Sequence, residues 1–225
     1  MSDLWIPLLL SLKVAGWATL FAAIFGIAVA FLLSRWRSPL CNLVDSILTL
    51  PMVLPPTVIG YYLLVLLGRR GWLGQWLSQW GIELVFTWQG AVVAATVVAF
   101  PLVLKSACAA FEDVDYRLED AGIVLGLSRL QVFFRVSLPL AMRGIMAGVL
   151  LAFARALGEF GATLMIAGSI PGRTQTLSIS IYEAVQAGND DLAMILVLVT
   201  SASCIAVLWF AGLLTPAQQR HRGAR

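Results

Sequence analysis

The sequence predicts an all-α bundle that crosses a membrane about five times, and three observations carry that expectation. Hydrophobic residues make up 60% of the 225 residues and charged residues 12%, with a mean hydropathy of +0.90; a water-soluble domain of that composition would expose large apolar patches. The apolar residues fall into runs near the roughly 20 residues that one helical crossing requires. The basic residues gather at the ends of those runs, where they act as topology signals.

The first span is predicted at Val14 to Leu33. Before it, an apolar segment holds Pro7 and Lys13, and a lysine is costly at mid-bilayer but comfortable at an interface. That segment is expected to lie in the interface or to add a turn or two of helix. No signal peptide is expected, because the start lacks a basic region and the apolar run outlasts a cleavable one.

The second span, about Leu43 to Leu67, contains Pro51, Pro55 and Pro56. Each proline removes an amide donor, so the span must break or kink, which a membrane tolerates only where neighbours or a cavity satisfy the freed carbonyls. Such a bend suits either the lining of a moving pore or a static turn. After it, Trp72, Trp76 and Trp80 recur every four residues and predict a short interfacial helix that forms an aromatic belt with Trp88.

The remaining spans are expected at Gly90 to Ala110, about Ala141 to Ala167, and Leu192 to Leu214. Placing the polar stretch Glu119 to Leu140 in the cytoplasm gathers Arg35, Arg37, Lys105, Arg117, Arg129, Arg135, Arg143, Arg220, Arg222 and Arg225 at that face, against Lys13, Arg69, Arg70 and Arg173 at the other. The positive-inside bias then puts the N-terminus out and the C-terminus in, as an odd number of spans requires.

Several function classes drop out. The net charge of +3 forms no basic stripe interleaved with aromatics, so no nucleic-acid partner is expected. Cys41, Cys108 and Cys204 lie far apart with no CxxC, and His221 stands alone in the charged tail, so neither a metal nor a cofactor is expected. GxxxxGK[ST], GxSxG and HExxH are absent, so the chain is not expected to be an enzyme. A stand-alone channel or secondary transporter would need intramembrane acids as ion sites, and Glu159 is the only strong candidate, already matched by Arg155.

The polar stretch between the third and fourth spans carries its own punctuation. Asp115 can cap a helix that starts at Tyr116, with Glu119 and Asp120 in its early turns, where the helix dipole favours acids. Gly126 fits the left-handed residue that ends it. Ser128 with Gln131 makes a capping box, predicting a second short helix from Arg129 to about Leu138, and Pro139 then fits the first turn of the fourth span. Leu125, Leu127, Leu130, Phe133 and Phe134 are too apolar for a solvated loop. The elbow either docks in a protein cleft or packs back on its own bundle.

This stretch resembles the EAA motif of ABC-importer permeases: Glu-Ala-Ala, three residues, Gly, nine residues, Ile-x-Leu-Pro. The chain matches it with Asp120-Ala121-Gly122, Gly126 and Val136-Ser137-Leu138-Pro139, every gap preserved. Asp120 stands at the family's glutamate with Glu119 beside it, and Gly122 stands at the second alanine, so the acidic contact could come from either neighbour. The resemblance implies the importer-permease fold and a cytoplasmic coupling region, about residues 115–138, that docks in a groove of an ATPase subunit. Its contacts would come from Glu119, Asp120, Ala121, Gly122, Gly126, Phe133, Phe134, Leu138 and Pro139, with Gly126 as the bend and the two aromatics as an apolar anchor.

The stretches LPMVLPPTVIGYYLLVLLGRRG and LAFARALGEFGATLMIAGSIPGRTQTL look like permeases of molybdate transporters, and the second is also similar to sulfate permeases. The resemblance implies one permease domain, residues 1–225, in a bacterial inner membrane and in contact with lipid, moving molybdate by alternating access, with tungstate or sulfate as alternatives. It implies a homodimer, a cytoplasmic ATP-binding subunit and a periplasmic molybdate-binding protein.

For the pathway, the residues themselves nominate Pro55, Pro56, Thr57, Tyr61, Arg155, Glu159, Thr163 and Ser169. An oxyanion in transit needs donors that replace its water yet release it, which favours hydroxyls over a dense arginine site. Arg155 and Glu159, four apart, are expected on one helix face, turned away from lipid, as a structural pair or as a gate. Glu159→Ala is expected to harm more than removal of both, because it strands a charge.

Overall fold

The computed structural model describes residues 2–36 and 38–214; Arg37, Arg220, His221, Arg222 and Arg225 lie outside the described residues. Helix α1 runs from Ser2 to Arg35. It passes through Pro7, whose missing donor disturbs only the first turns, so the segment before Val14 is continuous helix, longer than a turn or two and not a separate interfacial piece. At 34 residues α1 is about 50 Å long and overshoots a hydrocarbon layer of about 30 Å.

Helix α2, Pro39–Thr49, is capped by Ser38 Oγ, which accepts from the Leu40 amide. A 3-10 turn, Leu50–Met52, follows, and α3, Pro56–Leu67, leaves at 106° to the α2 segment. The three prolines therefore do more than kink the second span: Pro51 is the second residue of the 3-10 turn, Pro55 stands at the N-cap position of α3 and Pro56 is its first residue. Helix α4, Trp72–Ser78, is a short tryptophan helix as expected, but it carries only Trp72 and Trp76 and ends before Trp80. Helix α5, Trp88–Glu112, begins where Thr87 Oγ1 accepts from the Gly90 amide.

Helices α1 and α5 run parallel. Lys13 Nζ sits 3.6 Å above the Trp88 ring at one end, and Phe31 meets Phe111 edge-on at 5.4 Å at the other. The chain must therefore return across the layer between them, so the bent α2–α3 pair amounts to one crossing. Counted with the four helices among the described residues that are long and apolar enough to cross, this gives the five expected passages.

Helix α6, Tyr116–Val124, is capped by Asp115, whose carboxylate accepts from the Arg117 amide. Gly126 takes φ +88°, the left-handed turn expected of it. Helix α7, Arg129–Val132, opens with the complete Ser128–Gln131 capping box. It does not end at Leu138 as a separate short helix. A π-turn, Phe133–Ser137, carries it straight into α8, Leu138–Leu157, so residues 129–157 form one apolar helical run. Pro139 cannot donate to the preceding turn, and the wider π-turn absorbs that gap where a restart was expected.

The fourth span also differs at its far end. Instead of continuing to Ala167, α8 stops at Leu157, Gly158 caps it, and α9, Gly161–Ala167, starts after a three-residue break. Helix α10, Leu177–Gln186, lies across the same side as the α1 start, where Ser11 Oγ accepts from the Leu177 amide, and α11, Asp190–Leu214, makes the last crossing.

The core is built on small residues that let backbones approach. A Cβ at Gly144 would stand 2.7 Å from Ala110 Cβ, and one at Gly148 would stand 2.5 Å from Ser106 Cβ, so α8 lies directly against α5. Ala91, Ala95, Ala99 and Ala107 of α5 are wholly buried. A second apolar cluster joins the far ends of α1, α5 and α8 through Leu33, Leu104, Phe111, Ala141 and Ile145. It supports the elbow described next.

Candidate functional site

Two interruptions of the helical pattern hold nearly all the residues nominated by the sequence. The first is the elbow between α5 and α8. Val124 and Leu125 are 86% and 82% exposed, Leu130 and Phe134 are exposed beside them, and Asp120 and Ala121 face outward on α6. The Asp120 side chain makes no hydrogen bond or ion pair among the described residues. Gly126 is exposed and a Cβ there would meet nothing within 4 Å, so its requirement is the backbone angle alone.

Glu119 behaves differently from its neighbour. Its side chain is 15% exposed, and its Oε1 both accepts from Ser137 Oγ at 2.6 Å and pairs with the Arg35 guanidinium at the end of α1. Ser137 is wholly buried. The two acids therefore differ: Glu119 is engaged inside the chain, whereas Asp120 faces outward.

The aromatic pair, expected as a joint apolar anchor, splits in the same way. Phe133 packs at 4.6 Å against Phe31 and contacts Phe111, while Phe134 is exposed. Leu138 also packs into the cluster under the elbow, whereas Pro139 stays exposed. Gly122 is buried; a Cβ there would approach Val132 Cγ2 to 3.1 Å, so it marks where α6 closes on the following helix.

The second interruption lies within the membrane layer. Helices α3 and α9 run side by side in the same direction. A Cβ at Gly161 would come within 3.2 Å of Pro56 and Thr57, and one at Gly60 within 2.8 Å of Ala162 Cα. The breaks at Val53–Pro55 and Gly158–Phe160 thus adjoin, and the two discontinuous crossings pair with each other. Broken spans of this kind occur in membranes only where protein or a cavity meets the freed backbone groups.

Glu159 occupies the second break. It is 3% exposed, its Oε1 accepts from the Ala162 amide at 2.8 Å, and its Oε2 lies 2.7 Å from Arg155 Nη1, an ion-pair contact without the alignment of a hydrogen bond. The expected pair therefore exists, although not on one continuous helix face: Arg155 is in the last turn of α8 and Glu159 lies beyond its end. The burial is also uneven, with the Arg155 side chain 35% exposed and that of Glu159 1%. The carboxylate is the charge that loss of its partner would strand, so Arg155→Ala is expected to be the more harmful single change.

The candidate hydroxyls do not form one cluster. Thr57 and Tyr61 stand one turn apart on an exposed face of α3, with Pro55 and Pro56 at its start. Thr163 is 1% exposed on α9. Ser169 lies past the opposite end of α9, about 10 Å from the break by helical rise, and its Oγ is buried without a hydrogen-bond partner among the described residues.

Sequence reasoning missed the part that two elbow residues play: Arg35 reads as a topology charge, and Ser137 reads only as the variable position of the Val136-Ser137-Leu138-Pro139 match. Spacing could reveal neither, because Glu119 lies far from both in sequence.

With this geometry in hand, comparison with known proteins is specific. Residues 6–220 match the family model "Binding-protein-dependent transport system inner membrane component". The chain is 46% identical to the molybdenum transport system permease protein ModB of Escherichia coli K12 over 92% of this chain and 93% of that protein. It is 42% identical to the putative molybdenum transport system permease protein YvgM of Bacillus subtilis, over 93% and 90%. The sulfate transport system permease protein CysT of Salmonella typhimurium is 35% identical over 85% of this chain and 69% of that protein. Among solved structures, the fold resembles a bacterial ABC transporter involved in alginate import, with TM-score 0.78 at 16% identity, covering 98% of this chain and 81% of that one. It also resembles the MetNI methionine ABC transporter, with TM-score 0.75 at 17% identity, covering 96% and 95%.

Proposed function

The chain belongs to the family of inner membrane components of binding-protein-dependent transport systems, and from that premise we propose that it is the transmembrane subunit of an ATP-driven molybdate importer. The substrate rests on one observation: 46% identity, over nearly the full length of both chains, to a molybdenum transport permease. Residues 1–225 act as one permease domain, and ATP hydrolysis belongs to a separate cytoplasmic subunit.

The exposed elbow supports the mechanical part of the reading. Val124, Leu125, Leu130 and Phe134 supply an apolar knob with Asp120 at its edge, and such a patch at a water-facing end of a membrane protein calls for a protein groove. Closure of the ATP-binding subunit moves the elbow, and the movement reaches the spans. The basic residues Arg35, Lys105, Arg117, Arg129, Arg135 and Arg143 on the elbow side support an orientation with the elbow and C-terminus in the cytoplasm and the N-terminus outside.

Two copies of the chain would enclose the path. The exposed Thr57 and Tyr61 face of α3, starting at Pro55 and Pro56, supplies neutral donors for a tetrahedral oxyanion, and the Arg155–Glu159 pair beside it fixes the break through which α3 and α9 shift. Thr163 lies in the first turn of α9 and Ser169 just beyond its far end. A periplasmic binding protein delivers the anion to the outer side.

The test is reconstitution of the chain with its ATP-binding subunit and binding protein in proteoliposomes, comparing ATP hydrolysis and anion uptake with molybdate, tungstate or sulfate. Stimulation by molybdate and tungstate but not sulfate is the expected result. Stimulation by sulfate alone would overturn the substrate, in line with the 35% identity to a sulfate permease. No stimulation in a verified assembly would overturn the importer reading.

A further inference from the structure

Two adjacent acids on α6 have opposite fates: Asp120 is exposed and unengaged, whereas Glu119 is drawn inward to a point where three elements meet on one carboxylate oxygen. Arg35 brings the last turn of α1 to that oxygen. Ser137, wholly buried in the π-turn, brings the entry to α8. The Arg35 guanidinium also lies 5.7 Å from the Phe31 ring, which in turn packs on Phe133 and Phe111. Upstream, α6 is joined to α5 only by the short turn Asp113–Asp115, which leaves α6 free to pivot unless something fixes it.

Resting on the importer reading above, we propose that Glu119 is a positioning residue that carries movement of the elbow into α1 through Arg35 and into α8 through Ser137, while Asp120 and the exposed apolar side chains meet the ATP-binding subunit. A carboxylate suits this task. It accepts from both partners at once, and its charge holds the guanidinium that ends a 34-residue helix, where a cation is favoured by the helix dipole. Without the link, α6 could follow its partner subunit while α1 stayed behind.

The experiment uses the complete assembly in proteoliposomes and measures ATP hydrolysed per molybdate taken up, with co-purification of the ATP-binding subunit as a control. Glu119→Gln and Arg35→Gln are each expected to keep the subunit bound and hydrolysing ATP but to raise that ratio roughly five-fold or more, the lower range for coupling between sites. The exchange Glu119→Arg with Arg35→Glu is expected to bring the ratio back toward that of the unaltered chain. An unchanged ratio in both single variants would overturn the proposal. So would loss of the ATP-binding subunit in Glu119→Gln matching that in Asp120→Asn, since Glu119 would then be a docking contact. If the single variants fail to reach the membrane, the exchanged pair decides: coupled transport supports the link and uncoupled hydrolysis overturns it. Failure of the importer reading would show separately, as no molybdate response in the unaltered chain.

Discussion

The elbow at residues 115–137 and the break at residues 158–160 are built from the same parts and serve different ends. Each interrupts the helical pattern beside a glycine, and each holds an inward-turned glutamate paired with an arginine. The Arg35–Glu119 pair joins residues 84 apart in sequence and ties one helix to another. The Arg155–Glu159 pair spans four residues and fixes only the shape of the chain around itself. A long-range pair can transmit displacement between elements; a local pair can only hold or release a conformation. The elbow also presents apolar side chains to the outside, whereas Glu159 is sealed against α9.

The strongest way to break this comparison is to disable the exposed side of the elbow alone. Val124→Asp with Leu125→Asp should abolish molybdate-stimulated ATP hydrolysis by about a hundred-fold while leaving the thermal unfolding of the isolated chain unchanged, because both side chains touch almost nothing in the chain itself. A large drop in the unfolding temperature would mean that the elbow packs on its own bundle after all. Next in size, Arg155→Ala should cost about 3 kcal/mol, the low end for stranding a buried charge because the arginine is one-third exposed. The same measurement on Glu159→Ala and on the double variant should give smaller losses, and equal or additive losses would show that the two residues do not act as a pair.

A smaller effect probes the joint between the two broken crossings. Gly60→Val places its Cβ 2.7 Å from Met165 Cβ and 2.8 Å from Ala162 Cα, where backbone cannot yield, and should cost about 2 kcal/mol with reduced uptake. Normal uptake by a stable Gly60→Val chain would separate the α3–α9 contact from transport. The smallest change sharpens the elbow: Ser128→Ala removes the capping-box acceptor and should cost about 1 kcal/mol, read as faster amide exchange confined to residues 129–132.

What could be read from the sequence was mostly local. Asp115, Gly126, Ser128 and Gln131 each perform the role that their side-chain chemistry dictates, since a cap or a left-handed turn depends on a few consecutive residues. The run-on of α7 into α8 was not legible, because Pro139 signals a helix start and only the π-turn before it removes that need. The break after Leu157 was hidden by continuing hydropathy, although Glu159 and its two glycines marked the place. The direction in which Glu119, Asp120, Phe133 and Phe134 point was beyond spacing arguments, since it depends on Arg35, Phe31 and Phe111 arriving from distant helices.

The pairing of α3 with α9 has a consequence for how the protein is made. Helix α3 has 12 residues, about 18 Å, too short to bridge the layer by itself. The backbone it leans on, at Ala162, is synthesised nearly half the chain later. During translation the bent segment is therefore complete before its permanent neighbour exists. The bend at residues 50–56 thus acquires its α9 neighbour late, and the order in which helices leave the ribosome becomes part of how the α3–α9 joint is made.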